Sequence, residues 1–290
     1  PGLRTALAQY YAQEDRREDV EQVLEKAVKD LPKAYGPHEV LARHYLATEK
    51  RGKAVSLLDN YMNRLQTGPD FLRAKLFEAR LLYQEEDLDG ALKLVNEVLE
   101  ENPGDLGAHD LKGDVLIGKR DFPCAVAEYR AVVHEQPENT NAALKLARSH
   151  LFNDEPALAE ETYKEILKRE ENLRDARAGL ADVYRRQGRP EQVREQLEEI
   201  LESEPENAGA LLMLGDMALA QRDLQKAGAY YGRLQETQPE SPVPHFKLGN
   251  LSLAEQKPER ALERFEKALK LAPDYTQALN RIVAVLVRQE

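Results

Sequence analysis

The chain has 290 residues, 41 of them basic and 52 acidic, for a net charge of −11, with 42% apolar residues, one cysteine and no tryptophan. That acidity argues against nucleic acid, which needs several uncompensated cations along its phosphates, and the lone Cys124 rules out an intrachain disulfide or a CxxC motif. The longest apolar run, Ile282 to Val287, is six residues, far short of the ~20 that span a bilayer.

Along the chain one pattern recurs. Residues 1–34 carry Ala8, then Val20 and Leu24; residues 35–71 carry Ala42, Ala54 and Leu58; residues 72–105 carry Ala79, Ala91 and Val95. The series continues with Gly113, Ala125 and Tyr129 in 106–139, Ala147, Ala159 and Tyr163 in 140–173, and Ala181, Val193 and Leu197 in 174–207. Gly215, Ala227 and Tyr231 follow in 208–241, and Gly249, Ala261 and Phe265 in 242–275, after which 276–290 repeats a first half alone. The first residue of each trio is small, as it must be where two helices approach closely. The second and third, four apart, share one helix face. Polar breakers such as Gln187-Gly188-Arg189-Pro190 separate the two halves, so each unit predicts a helical hairpin. Pro69, Pro103, Pro137, Pro205, Pro239 and Pro273 lie on a 34-residue grid that only Glu171 breaks, and each is expected to stop a second helix. Residues 35–71 are three longer than the other units, an excess assigned to a loop at Gln66-Thr67-Gly68.

A single hairpin cannot bury its own apolar face, so the units must stack. The length, the small residue in the first helix, the alanine and aromatic in the second and the closing proline, as in Gly249, Ala261, Phe265, Ala268 and Pro273, resemble the tetratricopeptide repeat. The resemblance covers essentially the whole chain and implies an all-α, right-handed α-solenoid, a superhelix of about eight tandem hairpins with an unpaired C-terminal helix. Two departures stand out. The fourth position, often aromatic in that family, reads Arg4, His38, Lys75, His109, Ala143, Arg177, Leu211 and His245; Glu78 and Lys112 replace the usual seventh-position leucine. Glu78 and Lys112 are expected to be neighbours across one junction, either as a structural ion pair or as a polar spot for a partner.

Nothing in the chain points to catalysis, a cofactor or a metal: GxSxG, HExxH, glycine-rich phosphate-loop and EF-hand patterns are all missing from the sequence. His38, His109 and His245 share a phase, but helices about 8–10 Å apart put residues two units away beyond any shared ion. Paired carboxylates such as Glu198-Glu199 abound, with nothing to single one out.

In the repeats that the chain resembles, first helices line a concave groove, and positions 2, 5, 6, 9, 12 and 13 point into it. Carried onto this chain, that implies a partner-binding set of Arg43, Phe77, Arg80, Tyr83, Asp114, Lys145, Arg148, Phe152, Asp182, Met213, Asp216, Phe246, Lys247 and Asn250. The ninth position alternates in sign from Arg80 through Asp114 and Arg148 to Asp182, the pattern of an inter-repeat salt-bridge ladder. The apolar members either meet a ligand or pack on the next helix. Neither the family's carboxylate clamp nor its asparagine ladder is present, Asn250 and Arg281 being only a fragment of a clamp. The expected function is a noncatalytic scaffold for another protein or a peptide segment, with no nucleic acid and no membrane insertion in this region. Two alternatives are a substrate-positioning arm of an enzyme whose catalytic domain lies outside this chain, and end-to-end self-association through Pro1 to Tyr11 and Ile282 to Val287. The abrupt termini suggest a piece of a longer solenoid, and the regular Leu- and Ala-rich repeats resemble long bacterial arrays; cytoplasm and bacterial periplasm are both compatible.

Overall fold

A computed structural model describes residues 2–14 and 16–289, without the side chains of residues 2, 3, 5, 9, 288 and 289. Pro1, at one of the proposed self-association ends, and the ninth-position side chain of Gln9 therefore lie outside the described residues. Every regular element among those described is an α-helix, and the helices divide into two compact bodies, residues 1–153 and 154–290. The first holds α1 (Gly2–Gln13), α2 (Arg17–Asp30), α3 (Tyr35–Ala47), α4 (Arg51–Leu65), α5 (Pro69–Gln84), α6 (Leu88–Glu101), α7 (Leu106–Gly118), α8 (Phe122–Glu135) and α9 (Thr140–Phe152). The second holds α10 (Pro156–Arg169), α11 (Arg174–Arg186), α12 (Pro190–Ser203), α13 (Ala208–Ala220), α14 (Leu224–Thr237), α15 (Pro242–Ala254), α16 (Pro258–Leu271) and α17 (Thr276–Gln289). Within each body every helix packs on the next in the chain, and α5 also touches α3 and α7. This is the all-α, tandem-hairpin solenoid class that the repeat pattern predicts.

The turn inside each hairpin is closed by the backbone. Glu86, Arg120, Gly188, Arg222 and Gln256 adopt left-handed φ values of 63°, 62°, 68°, 60° and 61°. The following N–H then reaches back over the helix end, from Asp87 to the Leu82 carbonyl at 3.0 Å, Asp121 to Leu116 at 2.9 Å and Asp223 to Ala218 at 2.9 Å. Such a six-to-one bond satisfies a carbonyl that the helix end leaves orphaned. The same aspartates cap the second helix, accepting from Gly90 N at 3.0 Å, Cys124 N at 3.3 Å and Lys226 N at 3.0 Å. One residue thus ends one helix and starts the next.

Pro103, Pro137, Pro205, Pro239 and Pro273 follow α6, α8, α12, α14 and α16 as expected, but Pro69 does not follow α4 in that way. It is the first residue of α5, where its missing N–H costs nothing. α4 instead stops at Leu65 with Gln66 in a left-handed cap at φ 61°. The extra residues of this unit therefore lengthen α5 by a turn rather than the loop, because proline at a helix start is pre-set for helical φ.

The core pairs small with large across each hairpin. A Cβ placed on Gly113 would lie 2.6 Å from the Tyr129 ring, on Gly215 2.4 Å from Tyr231, and on Gly249 2.4 Å from Phe265. Where the second helix carries a smaller Leu58, Val95 or Leu197, the first carries Ala42, Ala79 or Ala181, and all of these are buried. At this small position of the first helix, glycine stands only where a ring needs the volume of a methyl group. Tyr163 lays its ring on Gly179 of α11, where a Cβ would sit 2.3 Å away.

Candidate partner-binding face

Odd-numbered helices α3, α5, α7 and α9 in the first body, and α11, α13 and α15 in the second, carry the residues expected at the groove. Their fourth positions turn the other way, into their own hairpins. His38 is buried, with Nδ1 2.8 Å from the Ala34 carbonyl and its ring 4.2 Å from that of Tyr61. Lys75 pairs with Glu97 at 2.9 Å, His109 Nδ1 meets Glu128 at 2.5 Å, and Arg177 reaches Glu199 at 3.2 Å. Glu128 also takes Lys112 at 2.8 Å. The expected Glu78–Lys112 ion pair therefore does not form: Lys112 finds its carboxylate within its own hairpin. Burial, and then the nearby Asp59, raise the pKa of Glu78, which Lys75 only partly offsets.

The ninth-position ladder is also corrected. Asp114 accepts from the Tyr129 hydroxyl at 2.7 Å and from Lys145 Nζ at 2.8 Å, and the same ammonium binds Asp110 at 2.9 and 3.0 Å. In the second body the arrangement recurs: Asp216 accepts from the Tyr231 hydroxyl at 2.7 Å and from Lys247 at 2.8 and 2.7 Å. Aspartates at position nine thus pair with a lysine at position six of the following first helix, because that residue, and not the next position nine, lies within reach. Asp182 stays on its own helix, with Arg185 Nε at 3.0 Å and Arg186 Nε at 3.3 Å. Burial disfavours the Lys145 charge, but the bonds from Asp114 and Asp110 outweigh it and hold the pKa above the ordinary lysine value. Burial and then the bond to aspartate push the Tyr129 and Tyr231 hydroxyls well above the usual tyrosine range. Burial, with Asp114 next, also raises the Tyr83 hydroxyl.

These pairings separate the candidate residues. Phe77 and Phe246 are buried, Phe77 beneath the Arg43 guanidinium at 5.2 Å and Phe246 against Phe265 and Tyr275 at 5.8 and 5.5 Å. Both pack on neighbouring helices and offer a ligand little surface. Phe152 is 40% exposed beside the Phe122 ring, 5.4 Å away. Arg43 is shared with Glu39 at 2.8 Å. Arg80 and Arg148 are exposed, and neither makes a hydrogen bond or ion pair within the described residues.

Among the described residues, depressions lined in part by these first helices occur in both bodies. In the first body, one of about 210 Å³ lies among Tyr35, Glu39, Arg43, Arg73, Phe77 and Arg80. In the second, one of about 350 Å³ is lined by Arg185, Arg189, Val193, Met213, Asp216 and Met217. The largest, about 640 Å³, is lined by Asp216, Leu219, Lys247, Asn250, Leu253 and Arg281 among others. The face therefore brings Asp216, Lys247 and Asn250 together in one hollow and Arg43, Phe77 and Arg80 in another. Arg73 and Tyr35, which the sequence reading did not include, complete the latter; position two was the available signal for Arg73.

The tetratricopeptide repeat pattern matches residues 39–105, 111–175 and 178–242, and a second form of it matches 242–275. No curated protein matches the chain in sequence. Among solved structures, a tetratricopeptide repeat protein from Parabacteroides merdae is similar with a TM-score of 0.63 at 15% identity, over 87% of this chain and 98% of that one. PilW, a type IV pilus biogenesis factor, is similar with a TM-score of 0.60 at 14% identity, over 74% of this chain and 100% of its own. The APC/C hetero-tetramer Cut9–Hcn1 gives 0.56 at 12% identity, over 93% of this chain but only 52% of that one. At such identities the likeness is one of fold.

Proposed function

The chain belongs to the tetratricopeptide repeat family, and from that premise we propose that it is a noncatalytic scaffold that holds a segment of another protein along the face of its first helices. Supporting this reading most directly is the hollow of about 640 Å³ in the second body, where Leu219 and Leu253 lie beside Lys247, Asn250 and Arg281. Apolar floor supplies affinity and fixed polar groups supply orientation in such surfaces. In the same reading the chain is one array, with unit boundaries at 34/35, 71/72, 105/106, 139/140, 173/174, 207/208, 241/242 and 275/276.

The test is affinity capture with the whole chain beside its Arg80→Glu/Arg148→Glu variant. Because neither arginine has an internal partner, helicity and melting temperature should be unchanged while the captured partner is lost. Undiminished capture by the variant would move the binding surface to the second helices.

A second reading rests on α17, whose Leu279, Val283, Leu286 and Val287 are 51%, 53%, 49% and 66% exposed. An apolar stripe of this kind suits end-to-end association. Light scattering decides it: a mass independent of concentration removes this reading.

A further inference from the structure

The depression in the first body is rich in cations. In a chain of net charge −11, it gathers Arg43, Arg73 and Arg80 against the single carboxylate of Glu39. Two of the three guanidinium groups are already placed: Arg73 lies 4.7 Å above the Tyr35 ring and Arg43 5.2 Å above Phe77. Both rings are buried, so these cations rest on rigid aromatic faces. A guanidinium edge fits a carboxylate in two parallel hydrogen bonds; one edge of Arg43 already meets Glu39 at 2.8 Å, which leaves its other N–H groups and those of Arg73 and Arg80 to receive a further carboxylate. Among the described residues Arg73 has a single long contact of 3.4 Å with Asp70, and Arg80 has no acidic partner. Elsewhere on this face Lys145 is committed to Asp110 and Asp114 and Lys247 to Asp216, while Arg148 is exposed and makes no ion pair among the described residues.

We propose that this depression is the seat for an acidic segment of a partner protein, whose aspartate or glutamate side chains sit between Arg43, Arg73 and Arg80 while a neighbouring apolar side chain covers Leu76, which also lines the depression. The proposal rests on the scaffold reading above and narrows its partner to one with an acidic stretch. Preorganised cations lose little side-chain freedom on binding, which favours affinity as well as steering.

Fluorescence anisotropy with the whole chain tests it, using a labelled peptide of alternating glutamate and leucine, its glutamine counterpart and its lysine counterpart. The acidic peptide should bind at least about tenfold more tightly than either of the others, as expected when a charged pair is removed from an interface, and should weaken as salt rises. Arg80→Glu and Arg73→Gln should each reduce acidic-peptide affinity by about tenfold or more, with circular dichroism unchanged. Arg148→Glu, outside the depression, should have a smaller effect. The proposal is overturned if the glutamine peptide binds as tightly as the acidic one, if a phosphoserine peptide binds while the glutamate peptide does not, or if the two variants bind like the native chain. Failure of all three peptides also overturns it, but leaves the scaffold reading standing if the natural partner is still captured and lost with Arg80→Glu/Arg148→Glu.

Discussion

Replacing Gly249 with alanine should destabilise the second body, and replacing Phe265 with leucine as well should turn that same substitution into a stabilising one. The new Cβ would lie 2.4, 2.6 and 2.9 Å from three carbons of the Phe265 ring. Carbon atoms in contact rest about 3.5–4.0 Å apart, so the ring has to retreat by about 1 Å. It has nowhere to go: Phe265 is fully buried, with Phe246 packed 5.8 Å away between centroids. Overpacking of this kind costs about 1–3 kcal/mol, against which alanine returns about 1 kcal/mol of helix propensity. The net loss is therefore up to about 2 kcal/mol. With leucine at 265 the overlap disappears and only the gain of about 1 kcal/mol is left, as in the alanine–leucine pairing the chain already has at Ala181 and Leu197. Urea unfolding of the four proteins, followed by far-ultraviolet circular dichroism, gives the coupling directly. If Gly249→Ala changes stability by the same amount and sign in both backgrounds, ring volume does not dictate the glycine.

Three further outcomes are expected. Lys145→Met leaves Asp110 and Asp114 without their shared cation and should cost about 1–3 kcal/mol, whereas Arg148→Met, which breaks no internal contact, should stay within about 0.5 kcal/mol; equal losses on urea unfolding would contradict the pairing. The raised pKa of Glu78 means that the folded chain binds its proton more tightly than the unfolded chain does. That contribution is present below the ordinary carboxylate value of 4.5 and lost as pH rises through the folded pKa. Glu78→Gln should therefore flatten stability against pH above that value and raise the melting temperature at neutral pH; a lower one would mean that the carboxylate has a favourable partner. Gly188, at φ +68°, should lose about 1 kcal/mol on substitution by alanine. Gly232, in the middle of α14 with open space where a Cβ would go, should gain about 0.5–1 kcal/mol from the same change. Melting curves of the two variants must move in opposite directions.

Much of the architecture was legible because a stacked hairpin imposes a chemical requirement at fixed intervals. A small residue opposite a large one leaves a mark that recurs every 34 residues, and the mark survives even where alanine replaces glycine. The turns were less visible. Among the five hairpin turns described above, Gly188 announces its left-handed residue, while Glu86, Arg120, Arg222 and Gln256 adopt the same conformation because the backbone bond that follows offsets its strain. Pro69 was misplaced for a related reason: proline serves equally after a helix and at its first residue, and its neighbours alone do not distinguish the two. On the first-helix face, position identified which residues come near it but not what they touch. Phe77 and Phe246 are covered by neighbouring side chains, and Asp114 is held by a lysine 31 residues on, a pairing that depends on how two helices lie side by side. The aspartate, lysine and tyrosine recur together at 114, 145 and 129 and again at 216, 247 and 231. That co-occurrence was present in the sequence, and geometry was needed to give it meaning.

The tyrosine–aspartate–lysine contact is also asymmetric: the earlier hairpin contributes the carboxylate and the hydroxyl, the later one only the cation. A hairpin arriving at Asp216 without a lysine in the right place would leave that carboxylate with the Tyr231 hydroxyl alone, and one turned end for end would bring no ammonium to it. The junctions at α7–α9 and α13–α15 thus act as a check on succession, admitting the correct neighbour in the correct direction. In a chain whose hairpins resemble one another closely enough to be mistaken for each other during folding, such a check guards against slippage of the stack by one unit.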